Sequence, residues 1–545
     1  MRWFCLVAFL ILASCSALEL KTRKGSLQGT EESSRNGRKY YAFRGIPYAQ
    51  PPVGKLRLRN PQPHNGWKGI LDATEEAPIC IQRYIFIPDS RNTTIGQEDC
   101  LILNIYTPDV DKSRHLPVLA YIHGGGFRCG RPGPKESPSF FMDEDVVLVT
   151  IQYRVGIFGF LSTEDRLIPG NFGLKDQAMA LKWLSENINE YGGNPDSIIV
   201  FGESAGGAST HYLITSPLSR DLVKGAISES GVLDGEWALS HPGDAKETSE
   251  KVAKIVGCSS SPLLECLQSI EADKLVAIET GFLEWDFDPA VIFKPVVEEE
   301  NEGAFITEDP RSVKVSHPWI TGYTNGEGLL KTASLVNQDK SLVDYFVKNI
   351  DKLLPMLLFV NPKSPRIDEL VTMVKERYFR NLRETKQVLD QLETFYTDLY
   401  FIHPMLKALK RHVGPKYAYF LSHRAENSLA DTMGEKKLDS PKASHVDELI
   451  SLFDWSSVFS ESKGRPEDRK ISELLVKIWV NFAKSRNPTL EGVPIKWSPF
   501  SGNNFLHIQT EDTKMENIPL DEITEFWSRA YGVLEPTHGT VKEEL

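Results

Sequence analysis

Short apolar runs alternate with stretches of helical periodicity through the first half of the chain. Residues 116–122, 146–151 and 197–201 are nearly continuous apolar segments of strand length, which predicts strands buried on both faces. Residues 176–188 carry apolar side chains near the helical period and precede a Gly/Pro-containing turn at 192–195. Strand, crossover helix and strand in this order predict an α/β protein with a large, mostly parallel central sheet and helices on both faces.

The second half of the chain is richer in helical periodicity. Residues 376–412 and 471–485 have helical spacing, whereas the polar residues 362–365 and 426–444 predict surface loops. No Pro/Ser-rich linker, low-complexity tract or internal repeat divides the chain. We therefore expect a single domain spanning residues 18–545.

The composition is globular, since 41% of the 545 residues are hydrophobic and 25% are charged. The net charge of -12 disfavours a nucleic-acid partner and gives no reason to expect binding to anionic membranes. Nothing in the sequence favours a particular oligomeric state. Composition and charge therefore argue against nucleic acid as a partner, but they do not indicate a chemical activity, which has to be inferred from individual residues.

The N-terminus has the layout of a secretory signal peptide. Arg2 precedes an apolar run at residues 3–13, and Ala17 suits cleavage by signal peptidase. We predict a signal peptide at residues 1–17; a signal anchor is the alternative. No later segment has about 18 consecutive apolar residues, so we expect no integral membrane segment.

Two further features concern the secretory pathway. Asn92 begins an Asn-Thr-Thr glycosylation sequon between Cys80 and Cys100, where we expect an exposed loop. The last residues, 542–545, read Lys-Glu-Glu-Leu and resemble the Lys-Asp-Glu-Leu retrieval signal; the alternative is a charged tail. We expect a glycoprotein that is either secreted or retained in the endoplasmic reticulum lumen.

Five cysteines follow the predicted signal peptide. Cys80 with Cys100, and Cys258 with Cys266, would close short loops in an oxidising compartment, although other pairings among these four remain open. Cys129 is left over. We interpret it as a small buried thiol rather than a second nucleophile.

A candidate nucleophile follows the predicted strand at 197–201. Gly202, Ser204 and Gly206 fill the pattern Gly-x-Ser-x-Gly, in which a sharp strand-to-helix turn exposes the serine hydroxyl and needs small neighbours. The small residues 205–209 allow a helix to begin directly after the strand, with its N-terminal amides facing the serine. The alternative is an ordinary glycine-rich turn.

Ser204 needs a base, and His445 is the best-placed histidine. It ends the polar stretch 439–444 and precedes the amphipathic run 446–453, so we expect it on a loop just before a helix. Three other histidines fall within predicted helices or a predicted strand: His403, His412 and His507. The alternative for a loop histidine is an exposed surface position.

Glu327 is the candidate acid that orients the base. It lies in the turn 324–328 after the strand-like residues 318–323, and a carboxylate at a strand end could accept a hydrogen bond from His445. The chain order serine, acid, histidine is that of a nucleophile-elbow enzyme. The alternative is a solvated turn glutamate.

A glycine-rich segment after the predicted strand 116–122 supplies candidate oxyanion donors. Residues 123–127 read His-Gly-Gly-Gly-Phe, and amides without side chains approach developing negative charge closely. Gly125, Gly126 and Ala205 would provide three donors. A phosphate-binding loop is disfavoured because no Gly-Lys-Ser/Thr ending follows.

Taken together, these residues resemble the type-B carboxylesterase and cholinesterase group of α/β-hydrolases, and in particular insect carboxylesterases. The likeness runs from about residue 18 to the C-terminus and rests on residues 43–49, 51–54, 98–101, 103–106, 170–177 and 201–207. It implies the α/β-hydrolase fold, the Ser204, Glu327 and His445 triad, the three oxyanion donors, and the two local disulfides.

The same resemblance assigns supporting roles. Ser230 resembles a serine that hydrogen-bonds the triad acid, and Trp237 resembles an aromatic residue that lines the acyl pocket. By analogy, two pairs would be buried ion pairs rather than solvated charges: Arg57 with Glu98, and Arg154 with Asp176.

Departures from the family pattern concern the substrate. The span from Cys80 to Cys100 lacks the tryptophan that holds quaternary ammonium groups in cholinesterases, and Tyr84 and Phe86 are poor replacements. Glu203 stands where juvenile hormone esterases typically have glutamine, which argues against hormone specificity. An acidic residue at an oxyanion glycine gives some insect carboxylesterases organophosphate hydrolysis; Gly126 is intact, so this activity is not predicted.

We therefore predict a serine carboxylesterase that hydrolyses small-molecule carboxylic esters through an acyl-enzyme, without metal or cofactor. The alternatives are a juvenile-hormone-type esterase, a neutral lipase and a non-catalytic, neuroligin-like adhesion protein.

Overall fold

A long mixed β-sheet organises the chain. The computed structural model describes residues 17–87, 90–131, 137–260, 262–337, 340–460, 464–490 and 495–534. Within these residues the main sheet has 13 strands in the order β1-β2-β3-β7-β9-β8-β10-β11-β12-β13-β14-β15, with β4 beside β2 and a separate β5-β6 ribbon. The strands are β1 (Ala17–Thr22), β2 (Gly25–Ser33), β3 (Lys39–Pro47), β4 (Ile70–Asp72), β5 (Gln82–Arg83), β6 (Thr94–Ile95), β7 (Ile102–Thr107), β8 (Leu116–Ile122), β9 (Val147–Ile151), β10 (Gly193–Glu203), β11 (Gly225–Glu229), β12 (Trp319–Thr324), β13 (Lys416–Leu421), β14 (Asn504–Ile508) and β15 (Lys514–Asn517).

The central strands are parallel. Pairing is parallel from β9 across to β14, whereas β1, β2, β3, β7 and β15 join their neighbours in antiparallel fashion, except where β4 runs parallel to β2. Every residue of β8, β9, β11 and β12 is buried, as parallel strands covered on both faces require. The predicted α/β class with a mostly parallel sheet is confirmed.

Helices follow and flank these strands. They are α1 (Gly156–Phe160), α2 (Phe172–Asn187), α3 (Ala205–Leu213), α4 (Asp244–Val256), α5 (Leu263–Ser269), α6 (Ala272–Ala277), α7 (Leu329–Asn337), α8 (Ser341–Leu357), α9 (Ile367–Tyr378), α10 (Thr385–Tyr396), α11 (His403–Arg411), α12 (Leu429–Met433), α13 (Glu448–Leu452), α14 (Pro466–Ser485) and α15 (Asp521–Gly532). No helix among the described residues has both the length and the apolar content needed to cross a membrane.

The two faces of the sheet carry separate apolar cores. Along β8, Ala120 belongs to the core shared with α2, while Leu119 belongs to the core shared with Trp479 of α14. This alternation follows the two-residue period of a strand and places a helical layer on each face. Removing a fully buried leucine such as Leu119 by substitution to alanine costs about 2–5 kcal/mol in proteins of this kind.

Three local predictions differ from the structure. The predicted surface loop 426–444 contains the helix α12, because Ala430 packs against Leu329 and Ala333 of α7 and is buried. The helical spacing over 376–412 is divided among α9, α10, a π-helical turn (Thr397–Ile402) and α11. Phe379 leaves the helical conformation and packs against Phe346 and Phe395, so tertiary packing ends α9. The predicted turn at 192–195 is partly strand, because β10 begins at Gly193 and its register with β8 shifts before Ile198.

The predicted signal peptide, apart from Ala17, and the C-terminal residues 542–545 lie outside the described residues. Asn92 lies within them and is exposed.

Candidate active site

Ser204 occupies a sharp turn between the end of β10 and the start of α3. Its backbone angles are φ 57° and ψ -123°, and its amide donates a hydrogen bond to the carbonyl of Glu229 on the neighbouring strand (2.8 Å). A Cβ atom on Gly206 would collide with the backbone of Ile122 and His123, which explains the small residue at this position. The hydroxyl-bearing side chain is half-buried, at the edge of the sheet where parallel strands end.

Glu327 and His445 form a buried hydrogen-bonded pair. The Oε2 atom of Glu327 lies 2.5 Å from Nδ1 of His445, and the side chains are 0% and 2% exposed. The other carboxylate oxygen accepts hydrogen bonds from the Ser230 hydroxyl (2.6 Å) and the Thr324 amide (2.7 Å). Because both oxygens have partners, the carboxylate is fixed in orientation and in turn orients the imidazole.

The second ring nitrogen of His445 has no protein partner. Nε2 is buried and no group among the described residues forms a hydrogen bond with it, Ser204 included. The ring packs against Phe401, with centroids 4.5 Å apart. A nucleophile and base without a direct hydrogen bond are common before substrate binds, and the free nitrogen is the one a serine proton would reach.

The glycine-rich segment forms the loop directly after β8. His123 stacks on Tyr153 (4.3 Å), whose hydroxyl donates to the His123 carbonyl (2.6 Å), and burial lowers the pKa of His123 to about 4. The Gly124 amide donates to Oε1 of Glu203 (2.5 Å). These contacts hold the start of the loop against the residue that precedes Ser204.

Gly125 and Gly126 continue the loop in conformations that favour glycine. Their φ angles are 106° and 62°, and a Cβ on Gly125 would collide with the carbonyl of Cys129. No group among the described residues accepts a hydrogen bond from either amide. Ala205 is the first residue of α3, so its amide also lacks an intrahelical acceptor. Three amides beside Ser204 thus have donor capacity for an oxyanion.

A cavity of about 360 Å³ adjoins this loop. Its lining is mainly apolar and includes Tyr84, Phe86, Met433, Val446 and Trp455. Glu203 and Arg131 also line the cavity, whereas Ser204 and His445 do not, so the cavity lies beside the serine and histidine, next to the first glycines of the loop.

Trp237 lies one aromatic layer away from His445. It is 4% exposed, donates from its indole to the Tyr400 carbonyl (2.8 Å), and neighbours Phe127 and Phe401. Phe401 lies between Trp237 and the histidine.

Two further buried glutamates lie near Glu327. Glu229 accepts a hydrogen bond from the Trp479 indole (2.7 Å), and Glu448 accepts one from the Tyr419 hydroxyl (2.7 Å). Burial raises the pKa of Glu229 to about 7, and burial with the neighbouring charges of Glu229 and Glu327 raises the pKa of Glu448 well above its ordinary value. The pair therefore favours holding a proton at neutral pH.

Asp447 anchors the loop that carries His445. It accepts hydrogen bonds from the Ser444 amide (2.8 Å), the Leu429 amide (2.8 Å) and the Ser428 hydroxyl (3.0 Å). The histidine loop is thereby tied to the N-terminus of α12.

The remaining sequence-predicted pairs are present as structural features. Disulfides join Cys80 to Cys100 and Cys258 to Cys266, as an oxidising compartment permits. Cys129 is buried as a free thiol, and burial raises its pKa to about 12. The two expected ion pairs are bidentate: Arg57 with Glu98, and Arg154 with Asp176.

The sheet order, the crossover helices and the serine at the strand-to-helix turn define an α/β-hydrolase. The structure superposes on that of juvenile hormone esterase from Manduca sexta, solved with OTFP covalently attached, with a TM-score of 0.82 and 26% sequence identity, over 95% of this chain and 100% of that one.

The family is the Carboxylesterase family, whose model matches residues 16–527; the chain belongs to it and is a carboxylic ester hydrolase. Juvenile hormone esterase of Tribolium castaneum is 35% identical over 86% of this chain and 83% of that protein. Venom carboxylesterase-6 of Apis mellifera is 32% identical over 94% and 93%, and Carboxylesterase 1C of Rattus norvegicus is 30% identical over 96% and 97%.

Two residues of this site could not be identified from the sequence. Phe401 comes from the π-helical turn after α10, and Asp447 follows His445 by two residues with no pattern to distinguish it from a surface acid. A carboxylate just after a loop histidine was the only available signal.

Proposed function

We propose that the protein is a serine carboxylesterase in which Ser204, His445 and Glu327 act as nucleophile, base and orienting acid. The observation that carries the proposal is the buried Glu327 carboxylate 2.5 Å from Nδ1 of His445, which leaves Nε2 as the free proton acceptor. This arrangement matches the requirement that a weak hydroxyl nucleophile be deprotonated as it attacks.

In the first half-reaction, the Ser204 hydroxyl oxygen adds to the ester carbonyl carbon while its proton passes to Nε2 of His445. The resulting oxyanion accepts hydrogen bonds from the amides of Gly125, Gly126 and Ala205. The tetrahedral intermediate collapses, the carbon–oxygen bond to the alcohol breaks, and the imidazolium returns its proton to the departing alkoxide.

In the second half-reaction, water adds to the acyl-enzyme and gives its proton to His445. Collapse of the second tetrahedral intermediate releases the carboxylic acid and restores the Ser204 hydroxyl. Glu327 stabilises the imidazolium in both steps.

The test is covalent labelling by an organophosphate, followed by intact mass measurement. We expect one adduct on the wild type and none on Ser204→Ala, together with a fall in kcat for p-nitrophenyl acetate of roughly 10⁴-fold or more. Equal labelling of both proteins, or no labelling of the wild type, would contradict the proposal.

A juvenile-hormone-type esterase is the second candidate, favoured by the two hormone esterases described above and by the apolar cavity. Glu203 uses one side-chain oxygen to accept from the Gly124 amide, and a glutamine has an oxygen that can do the same. The residue therefore weighs less against hormone specificity than its charge suggested.

A substrate panel separates these candidates. We propose that simple apolar esters are hydrolysed with kcat/KM above those of juvenile hormone, acetylthiocholine and a long-chain triacylglycerol. A clear preference for the hormone would favour the second candidate, and a preference for the triacylglycerol would favour a neutral lipase.

We also propose passage through the secretory pathway, supported by the two disulfides and the predicted signal peptide. Expression in insect cells, with and without residues 542–545, tests retention. Retention predicts that only the shortened protein accumulates in the medium; equal secretion of both forms would show that the tail is no retention signal.

A further inference from the structure

A segment at residues 285–290, which we call the wall segment, lies against residues 123–128, which we call the oxyanion loop. A Cβ atom placed on Gly126 would lie 3.4 Å from the carbonyl oxygen of Ala290 and 3.5 Å from the Phe86 ring. Phe86 in turn meets the ring of Phe287 edge-on, with centroids 5.3 Å apart. The wall segment therefore bounds the space beside Gly126, together with a ring that lines the cavity.

The oxyanion loop binds the wall segment from one side through Arg128. This guanidinium is 1% exposed, and its Nη1 atom lies within 3.4 Å of the carbonyl oxygens of Phe287, Pro289 and Ala290. Its Nε atom donates to the buried Glu279 carboxylate (3.1 Å). Backbone carbonyls of the wall segment are thus fixed relative to the oxyanion glycines.

Lys331 of α7 binds the wall segment from the other side. Its ammonium lies 2.9 Å from Oδ2 of Asp286 and 2.6 Å from Oδ2 of Asp288, and all three side chains are 0% exposed. The same ammonium lies over the rings of Trp285 (4.0 Å) and Phe287 (4.1 Å). Four of the six residues in the wall segment therefore contact one cation.

Two more groups complete the cluster. The Tyr396 hydroxyl donates to Asp288 (3.0 Å), and Arg91 forms an ion pair with Asp286 while donating to the Ile85 carbonyl (2.7 Å). Burial alone would raise the pKa of Asp286, yet Lys331 and Arg91 hold it below its ordinary value. Arg91 thereby joins the first disulfide loop, which carries Phe86, to the same cluster.

Burying three charges is costly. The desolvation penalty is several kcal/mol per ion, and apolar residues of similar volume would fill the same space without it. The charges fix the position of the wall segment, because two aspartates of the segment bind the same buried ammonium. Lys331 lies on α7, the helix that follows the turn carrying Glu327, so the cluster connects this helix to the space beside Gly126.

We propose that Lys331 is a positioning residue that, through its two aspartate partners, fixes the wall segment and sets the size of the substrate group accepted beside Gly126. This inference rests on the proposed esterase function and specifies the dimension of its substrate.

The test compares two variants with the wild type. Lys331→Met leaves two aspartates with one cation, whereas Asp288→Asn/Lys331→Met removes one charge of each sign and keeps the pair of Arg91 with Asp286. The double variant therefore tests the proposal if the single variant fails to fold. A matched control is Lys175→Met/Glu298→Gln, which removes another fully buried pair (2.6 Å) that makes no contact with the wall segment.

The readout is kcat/KM over two ester series, one that lengthens the acyl chain from acetate to decanoate with p-nitrophenol fixed, and one that lengthens the alcohol with the acid fixed. In the double variant we expect the long-to-short ratio to change at least about 10-fold in one series, which is the lower end of the effect of one methylene in a pocket. The kcat for the shortest ester should stay within about 3-fold of the wild type. The control variant should leave both ratios unchanged.

Unchanged ratios in a folded double variant, or a uniform fall at every length, would overturn the inference. So would an equal shift of the ratios in the control variant. Organophosphate labelling of the wild type keeps the two hypotheses apart: absence of a Ser204 adduct refutes the esterase proposal, whereas normal labelling with unchanged ratios refutes only the role of Lys331.

Discussion

At the scale of single residues, Ser204 is held in a backbone conformation that side-chain-bearing residues rarely adopt. Such conformations cost of order 1–3 kcal/mol and persist only where the surroundings impose them. Here β8 and β11 flank β10 on both sides, and the Ser204 amide is bonded to Glu229. The fold therefore stores strain at the proposed nucleophile, at the cost of stability.

Replacing Ser204 by glycine should relieve this strain. Glycine normally destabilises a protein by about 0.5–1 kcal/mol relative to alanine, because it loses more conformational freedom on folding. At this position we expect the reverse, with Ser204→Gly more stable than Ser204→Ala by about 1 kcal/mol. Urea unfolding of both inactive variants measures the difference. A less stable glycine variant would show that the turn is unstrained.

Ser230 supports the acid through one short hydrogen bond. Ser230→Ala leaves a buried carboxylate oxygen of Glu327 with one donor fewer, and we expect kcat to fall about 10-fold with little change in KM. Ser228→Ala is the matched control, since Ser228 lies within β11, two residues before Ser230, and forms hydrogen bonds with Trp319 and Thr210 instead. An equal loss in both variants would indicate general destabilisation of β11.

At the scale of elements, the acid turn and the histidine loop are bound to one another. Gly326 and Ser444 form a parallel bridge, and the Ala443 amide donates to the Asn325 side chain (2.8 Å). The turn after β12 and the loop before α13 are thus connected by backbone and side-chain hydrogen bonds. Asp447 connects the same loop to α12.

Asp447→Asn tests whether this fastening matters. The asparagine keeps the size but directs an NH₂ group at one of the donors that Asp447 accepts from, so the His445 loop should loosen. We expect kcat to fall about 10- to 100-fold while the circular dichroism spectrum is unchanged. Asp454→Asn, on the loop just after α13, is the control; full activity in Asp447→Asn would rule out an anchoring role.

The elements were predicted more accurately than their connections. Strands β8 and β9 match the apolar runs 116–122 and 146–151 to within one residue, because a strand buried on both faces has consecutive apolar residues. The break between α9 and α10 depends on Phe379 packing against distant rings, which local periodicity does not encode.

In the candidate site, too, features encoded by local sequence could be predicted, whereas features that depend on tertiary contacts could not. Ser204 and the glycine loop lie within recognisable local patterns, and the sequence also pointed to Glu327 and His445 as strand-end and loop residues. Lys331 could not be predicted, because a lysine in a short helix resembles an exposed residue until the two aspartates 45 and 43 positions away are placed beside it. Buried ion clusters depend on tertiary contacts and leave no periodic signal.

At the scale of the whole molecule, the buried glutamates should make stability depend on pH. The folded pKa of Glu229, about 7, is above its ordinary value, so the folded state binds more protons than the unfolded state between about pH 4.5 and 7. This group therefore stabilises the fold at low pH, and its contribution is lost as the pH rises through 7.

Glu229→Gln removes this titration. The free energy of unfolding of the wild type, minus that of the variant, should fall as the pH rises from about 4.5 to 7. Buried histidines such as His211 affect both proteins alike and cancel in the difference. Substitution of the exposed Glu511 by glutamine should give a flat difference; a flat difference for Glu229→Gln would refute the assignment.

The order of strands across the sheet has a consequence for biosynthesis. Strands β10, β11, β12 and β13 stand side by side in the order in which a ribosome makes them. The proposed nucleophile, the serine that supports the proposed acid, that acid and finally the histidine loop therefore emerge in sequence. A nascent chain that ends before residue 445 has a serine without a base. Labelling of Ser204 by a covalent probe therefore shows that the histidine loop of the growing polypeptide has docked. The time at which labelling begins measures when the enzyme matures during translation.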